Sequence, residues 1–108
     1  MGLIVTPIKA EKLEDWKNMT KSLKGEKSQE FKEFNERYGL TRHNVWLVES
    51  PNGPLAVVLH EGLGADTIMQ KVATSNHSFD LLFKEQLEKF HGMKLDGPPP
   101  GPMPIKMI

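Results

Sequence analysis

The run His43-Asn44-Val45-Trp46-Leu47-Val48-Glu49, the turn Ser50-Pro51-Asn52-Gly53-Pro54 and the run Leu55-Ala56-Val57-Val58-Leu59-His60 decide the fold. Both runs are short, rich in β-branched and aromatic residues, and apolar on successive positions. A strand wet on one side alternates apolar with polar; a strand covered on both sides does not need to. The rest of the chain reads as helical, and one helical layer covers one face of a sheet. A second copy of the chain is the simplest cover for the other, so the hairpin predicts an α+β domain that dimerises. It does not specify a reaction.

Asn52-Gly53 is a strong tight-turn pair, and the prolines on either side of it favour a wider loop. With Ser50 opposite Leu55, Val45 faces His60 and Leu47 faces Val58. One face then carries His43, Val45, Leu47, Glu49, Ala56, Val58 and His60, and the other Asn44, Trp46, Val48, Leu55, Val57, Leu59 and Glu61. A slip of one residue would exchange the faces.

Working outward, Gly2-Leu3-Ile4-Val5-Thr6 reads as a first strand, stopped by Pro7. Ala10, Leu13, Trp16, Thr20 and Leu23 recur at helical steps, with Glu11 and Glu14 in the first turns, where negative charge suits the helix dipole. Gly25 interrupts this helix. A second helical stretch carries Phe31, Phe34 and Tyr38 on one stripe and stops at Gly39. Beyond the hairpin, Asp66 is placed to cap a helix using Ile68, Met69, Val72 and Ala73. A last helix follows Ser75-Asn76-His77-Ser78, with Phe79, Leu82, Phe83, Leu87 and Phe90 as its stripe and His91-Gly92 as its end. The Pro-rich tail over 97–108 favours extended polyproline geometry, and Ile105-Lys106-Met107-Ile108 is a candidate final strand. The chain is therefore a single domain over residues 1–108. Its order of strand, helix, strand, strand, helices and short strand is the ferredoxin-like βαββαβ arrangement, an antiparallel sheet with helices on one face.

Composition narrows the function classes. Fourteen basic and fourteen acidic residues cancel, and Lys17, Lys21, Lys24 and Lys27 are interleaved with acidic residues, which argues against a nucleic-acid partner. The chain has no cysteine, so thiolate catalysis and cysteine-ligated metals are excluded. No signal peptide is visible, and no apolar run approaches the roughly 20 residues needed to span a bilayer. The expectation is a cytoplasmic protein without a membrane partner.

The start of the last helix, Asn76-His77-Ser78-Phe79-Asp80, and the ending Leu95-Asp96-Gly97-Pro98-Pro99-Pro100-Gly101-Pro102 resemble small uncharacterised bacterial members of the dimeric α+β barrel superfamily. The antibiotic-biosynthesis monooxygenase-like proteins belong to that group. The resemblance implies two ferredoxin-like subunits joining their sheets into a barrel. The superfamily includes cofactor-free oxygenases, isomerases and lyases, haem-degrading enzymes and members without known activity, so fold alone does not choose. Some of its enzymes use Asn, Trp and His. Trp16, Trp46, Asn44 and His91 are of those types, but no motif aligns them, and no role is carried over.

The residues themselves nominate a site. His60 is the candidate general base, because histidine titrates near neutral pH. His43 or Glu49 would orient it or bind a polar group of the substrate. The plainer alternative is a strand-end histidine satisfied by backbone or water. Trp16 and Trp46 are candidate pocket walls for an apolar or aromatic molecule, with core packing or a dimer contact as the competing role. His43, His60 and His77 do not stand at metal-ligand spacing, and neither a dinucleotide loop nor a P-loop occurs, so no metal and no cofactor is expected. His77 and His91 fit helix-capping roles. The sequence thus points to a homodimer binding a small organic molecule, as a cofactor-independent oxygenase or isomerase. A non-catalytic structural dimer and a haem-degrading enzyme are the alternatives.

Overall fold

A computed structural model describes residues 2–95 and 104–108. Strand β1 (Gly2–Pro7) leads through a 3-10 turn (Ala10–Lys12) into helices α1 (Leu13–Lys24) and α2 (Ser28–Arg37). Strands β2 (Arg42–Ser50) and β3 (Gly53–Glu61) form the hairpin, and helices α3 (Ile68–Thr74) and α4 (Ser78–His91) follow. The three strands make an antiparallel sheet in the order β1-β3-β2. β3 therefore lies between β1 and β2, which run parallel to each other, as a split βαβ unit requires.

Residues 104–108 form no strand, and Ile105, Met107 and Ile108 are strongly exposed. The expected fourth strand is not formed in the single chain, and most of the expected polyproline segment lies outside the described residues. Among the described residues what is observed is a small α+β domain with three antiparallel strands, compatible with a ferredoxin-like fold.

The hairpin closes more tightly than the prolines suggested. Ser50 pairs with Gly53, so Pro51 and Asn52 alone form the loop, Gly53 takes φ 118°, and Ser50 Oγ donates to the Gly53 carbonyl at 2.6 Å. The register therefore differs by two residues from the expected one: Val45 pairs with Val58, Leu47 with Ala56, and His43 with His60. An even shift leaves every side chain on its expected face while changing its partner.

The inner face of the sheet lies under the helices. Ala56 packs with Ile8, Trp16 and Phe90 in one buried cluster, while Phe34, Leu40, Ile68, Val72 and Phe79 make a second. The outer face carries Leu3, Val5, Trp46, Val48, Val57 and Leu59 by register. Of these Leu3, Trp46 and Val48 are more than two-fifths exposed, so the outer face is apolar and open.

Helix ends follow local chemistry. Gly92 takes φ 65° to close α4, and its N–H reaches the Glu88 carbonyl. The Nδ1 of His77 accepts from the Phe79 N–H at the start of α4, the capping role expected of it. α3 begins after Thr67 rather than at Asp66. Where β3 leaves the sheet, the Gly62–Gly64 turn presses on the Tyr38–Gly39 backbone. A Cβ at Gly64 would lie 1.6 Å from the Tyr38 carbonyl oxygen, so only glycine permits this crossing.

Candidate functional site

Between the two core clusters the inner sheet face and the helices leave a cavity of about 500 Å³, in the size range of small-molecule sites. Ile4, Val45 and Val58 form its floor, and Trp16, Met19 and Phe83 are among the helical residues that line it. Val45 is 39% exposed although it sits on the covered face, because it fronts this space. Four charged residues also line it: Asp15 of α1 and Lys89 of α4 are both exposed and stand 4.0 Å apart, Glu26 is exposed and Lys27 half-buried.

One end of the cavity is histidine. His43 and His60 are direct cross-strand partners, and their Nε2 atoms lie 3.2 Å apart. Asn35 of α2 adds a third member, with Oδ1 2.9 Å from His43 Nδ1. With that oxygen accepting, His43 Nδ1 carries the proton and its Nε2 is bare. His43 Nε2 then accepts from the Nε2–H of His60, which leaves the lone pair of His60 on Nδ1. The Phe31 ring, 4.8 Å from that of His43, packs this end.

Burial holds both rings neutral. His60 is 2% exposed, and loss of solvent pulls its pKa below the ordinary histidine value. Desolvation acts more strongly on His43, and His60 adds repulsion, so its pKa falls to about 3. A second proton on the pair would place two cations 3.2 Å apart in a dry site. With both N–H groups committed, to Asn35 and to His43, the neutral pair has one uncommitted nitrogen near pH 7, the acceptor His60 Nδ1. It can take up one proton at His60, with neutral His43 accepting from the resulting imidazolium.

The sequence-predicted residues separate. His60, His43 and Trp16 come together on one cavity, and Trp16, 5% exposed, also belongs to the core beside Ala56 and Phe90. Glu49 is exposed, six residues along β2 from His43, and does not line the cavity, whereas His43 contacts His60 directly. Trp46 points to the outer face, 46% exposed, so it is no wall of this cavity. His91, expected to serve the end of its own helix, instead has Nδ1 2.9 Å from the Pro7 carbonyl, tying α4 to the end of β1.

Asn35, Thr6 and Gln86 escaped the sequence reading. Asn35 is adjacent to Phe34 on an amphipathic helix and gives no local sign of facing a histidine. Also unforeseen is the environment of Asp80. This carboxylate, 0% exposed, accepts from Arg37 Nη2 at 2.6 Å, Ser75 Oγ at 2.6 Å and the Tyr38 hydroxyl. Burial pushes its pKa up, but the hydrogen bonds from Ser75 and Tyr38 and the Arg37 charge outweigh that, and the net shift is downward. For Tyr38, burial and then the bond to Asp80 raise the pKa. This cluster joins the end of α2 to the start of α4 and does not line the cavity.

Among the described residues no group of three or more His, Asp or Glu side chains is placed to hold a metal ion, and no helix is long and apolar enough to cross a membrane. No family model, curated protein or solved structure matches this chain.

Proposed function

We propose that this protein binds a small apolar or aromatic molecule between its sheet and helices, and that His60 acts on it as a general base. The observation carrying this reading is the His43–His60 pair, His60 buried and His43 half-buried, at one end of a mostly apolar cavity. A histidine needed only for packing would be replaceable by an aromatic ring. Here two imidazoles are desolvated together, and their hydrogen-bond chain through Asn35 fixes one basic nitrogen on His60. The chemistry suited to it is proton removal from a weakly acidic hydroxyl or carbon, the first step of an isomerisation or a cofactor-independent oxygenation. In the test, His60→Ala abolishes turnover of a candidate substrate while leaving the chain folded. Unchanged turnover would leave His60 without a catalytic role.

The functional unit is a homodimer in which two sheets meet through their outer faces, in the manner of the dimeric α+β barrels. Exposed Leu3, Trp46 and Val48 support this, since contiguous exposed apolar surface of this kind marks interaction sites. Sedimentation of the wild type and of Trp46→Lys tests it. A dimer that the lysine converts to monomer is expected, and a monomeric wild type would refute it. The non-catalytic alternative rests on the same face and predicts that dimerisation survives His60→Ala with no activity lost.

A further inference from the structure

Two buried side-chain polar atoms among the described residues have no hydrogen-bond partner, Thr6 Oγ1 and Gln86 Oε1, and both residues line the same cavity. Thr6 is 2% exposed. Buried polar atoms are almost always paired, and leaving one unpaired is costly, so two on the lining of one cavity, one from the sheet and one from α4, call for a common explanation.

Their position follows from the register. The inner-face rows run Gly2, His60, His43; then Ile4, Val58, Val45; then Thr6, Ala56, Leu47. The histidine row and the Thr6 row are four residues apart along the strands, about 13 Å, with an apolar row between them. α4 spans the same length. Phe79 near its start packs on Phe34 at 5.3 Å, beside the histidines, and Phe90 at its end packs on Ala56. The Phe90 carbonyl also accepts from the Lys9 N–H at 2.8 Å, just past β1. Gln86 lies one turn before Phe90 and therefore belongs to the Thr6 end. The sheet floor of the cavity therefore has an apolar row between the histidine row and the Thr6 row.

We infer that Thr6 and Gln86 form a second polar subsite that binds a neutral hydroxyl group at the far end of an elongated, otherwise apolar ligand. This rests on the small-molecule reading above and adds the chemical class. A hydroxyl both donates and accepts, so it satisfies the Gln86 carbonyl and the Thr6 hydroxyl together, and it does so for either orientation of the amide. A carboxylate only accepts and an ammonium only donates, and each would be buried there without a countercharge. Lys89 and Asp15 stand at the exposed rim beside one another, and His91 is engaged by Pro7.

The test compares 4,4′-dihydroxybiphenyl with 4-hydroxybiphenyl, which differ by one terminal hydroxyl, by calorimetric titration. Wild type binds the diol about three- to tenfold tighter, the worth of one buried hydrogen-bonding group. In Thr6→Val and in Gln86→Leu the ratio falls toward one, because the diol loses more affinity than the mono-hydroxy compound. Thr6→Ser keeps the preference. Both apolar variants melt no lower than wild type, because each removes an unpaired buried polar atom. A wild-type ratio of one, or a preference that survives both substitutions, overturns the subsite and leaves the cavity reading standing. Failure of both biphenyls to bind wild type overturns the subsite and the small-molecule reading together.

Discussion

Two buried polar centres sit within one small domain and are built on opposite principles. Asp80 is a full charge with no exposure, and three side chains from two other segments donate to it. His43 and His60 are neutral, satisfied mainly by each other and by Asn35, and they face a cavity of about 500 Å³. The carboxylate has spent its hydrogen-bonding capacity on the protein and is unavailable to a ligand. The imidazole pair keeps one uncommitted nitrogen, His60 Nδ1. Burial of a titratable group therefore does not by itself mark a site; burial beside a mostly apolar cavity is what makes the histidine pair the candidate.

The largest effect expected from breaking this contrast is at Asp80. Asp80→Ala strands the Arg37 guanidinium and the Tyr38 and Ser75 hydroxyls, and removal of one partner from a buried pair destabilises by about 3–5 kcal/mol. Arg37 is about one-third exposed and recovers some hydration, which places the expected value toward the lower end. Urea denaturation reads it, and a loss under about 1 kcal/mol would show that the cluster is not a structural tie.

Replacing both histidines by Phe should do the reverse. The double variant removes two desolvated polar groups at once, so stability at pH 7 changes by no more than about 1 kcal/mol, while ligand binding and any turnover are lost. Instability comparable to Asp80→Ala would make the pair a structural element like the carboxylate.

Acid titration separates the two centres by pH. The folded pKa of His43 lies at about 3 and that of His60 is also lowered, against an unfolded value of 6.5. The unfolded chain therefore binds more protons as pH falls below 6.5, and the stabilisation present above that value is lost progressively toward pH 3. Asp80 is also lowered, from 3.8, so its contribution persists above that value and disappears only in stronger acid. The double Phe variant should flatten the upper slope, leaving a remainder from His91, whose pKa burial also lowers, and keep the lower step. An unaltered slope between pH 6.5 and 4 would contradict the buried, neutral pair.

The smallest effect belongs to Asn35→Ala. It removes one hydrogen bond from His43, worth about 1 kcal/mol, and frees its tautomer. Ligand affinity or turnover should drop several-fold with the fold intact, and an unchanged pH profile of activity would take Asn35 out of the site.

The contrast also explains what the sequence could reveal. The hairpin faces were legible because alternation along a strand is a local rule, and an even slip in register preserves it. The meeting of His43 with His60 was not, because it depended on Pro51-Asn52 forming the whole loop. Helix ends at Gly25, Gly39 and Gly92 were legible from single residues. Asp80 was visible only as part of a helix-start motif, since Arg37 and Tyr38 stand 43 and 42 residues away. Trp46 shows the limit from the other side. Its chemistry suits a pocket wall, yet its parity places it on the outer face with Val48.

The most direct test of the central claim is native mass spectrometry with 4-hydroxybiphenyl on the wild type and on Val58→Trp, which fills the middle of the cavity floor. One molecule bound per wild-type chain and none on the variant is the predicted result. No adduct on the wild type, or equal adducts on both, would contradict a ligand site between the sheet and the helices.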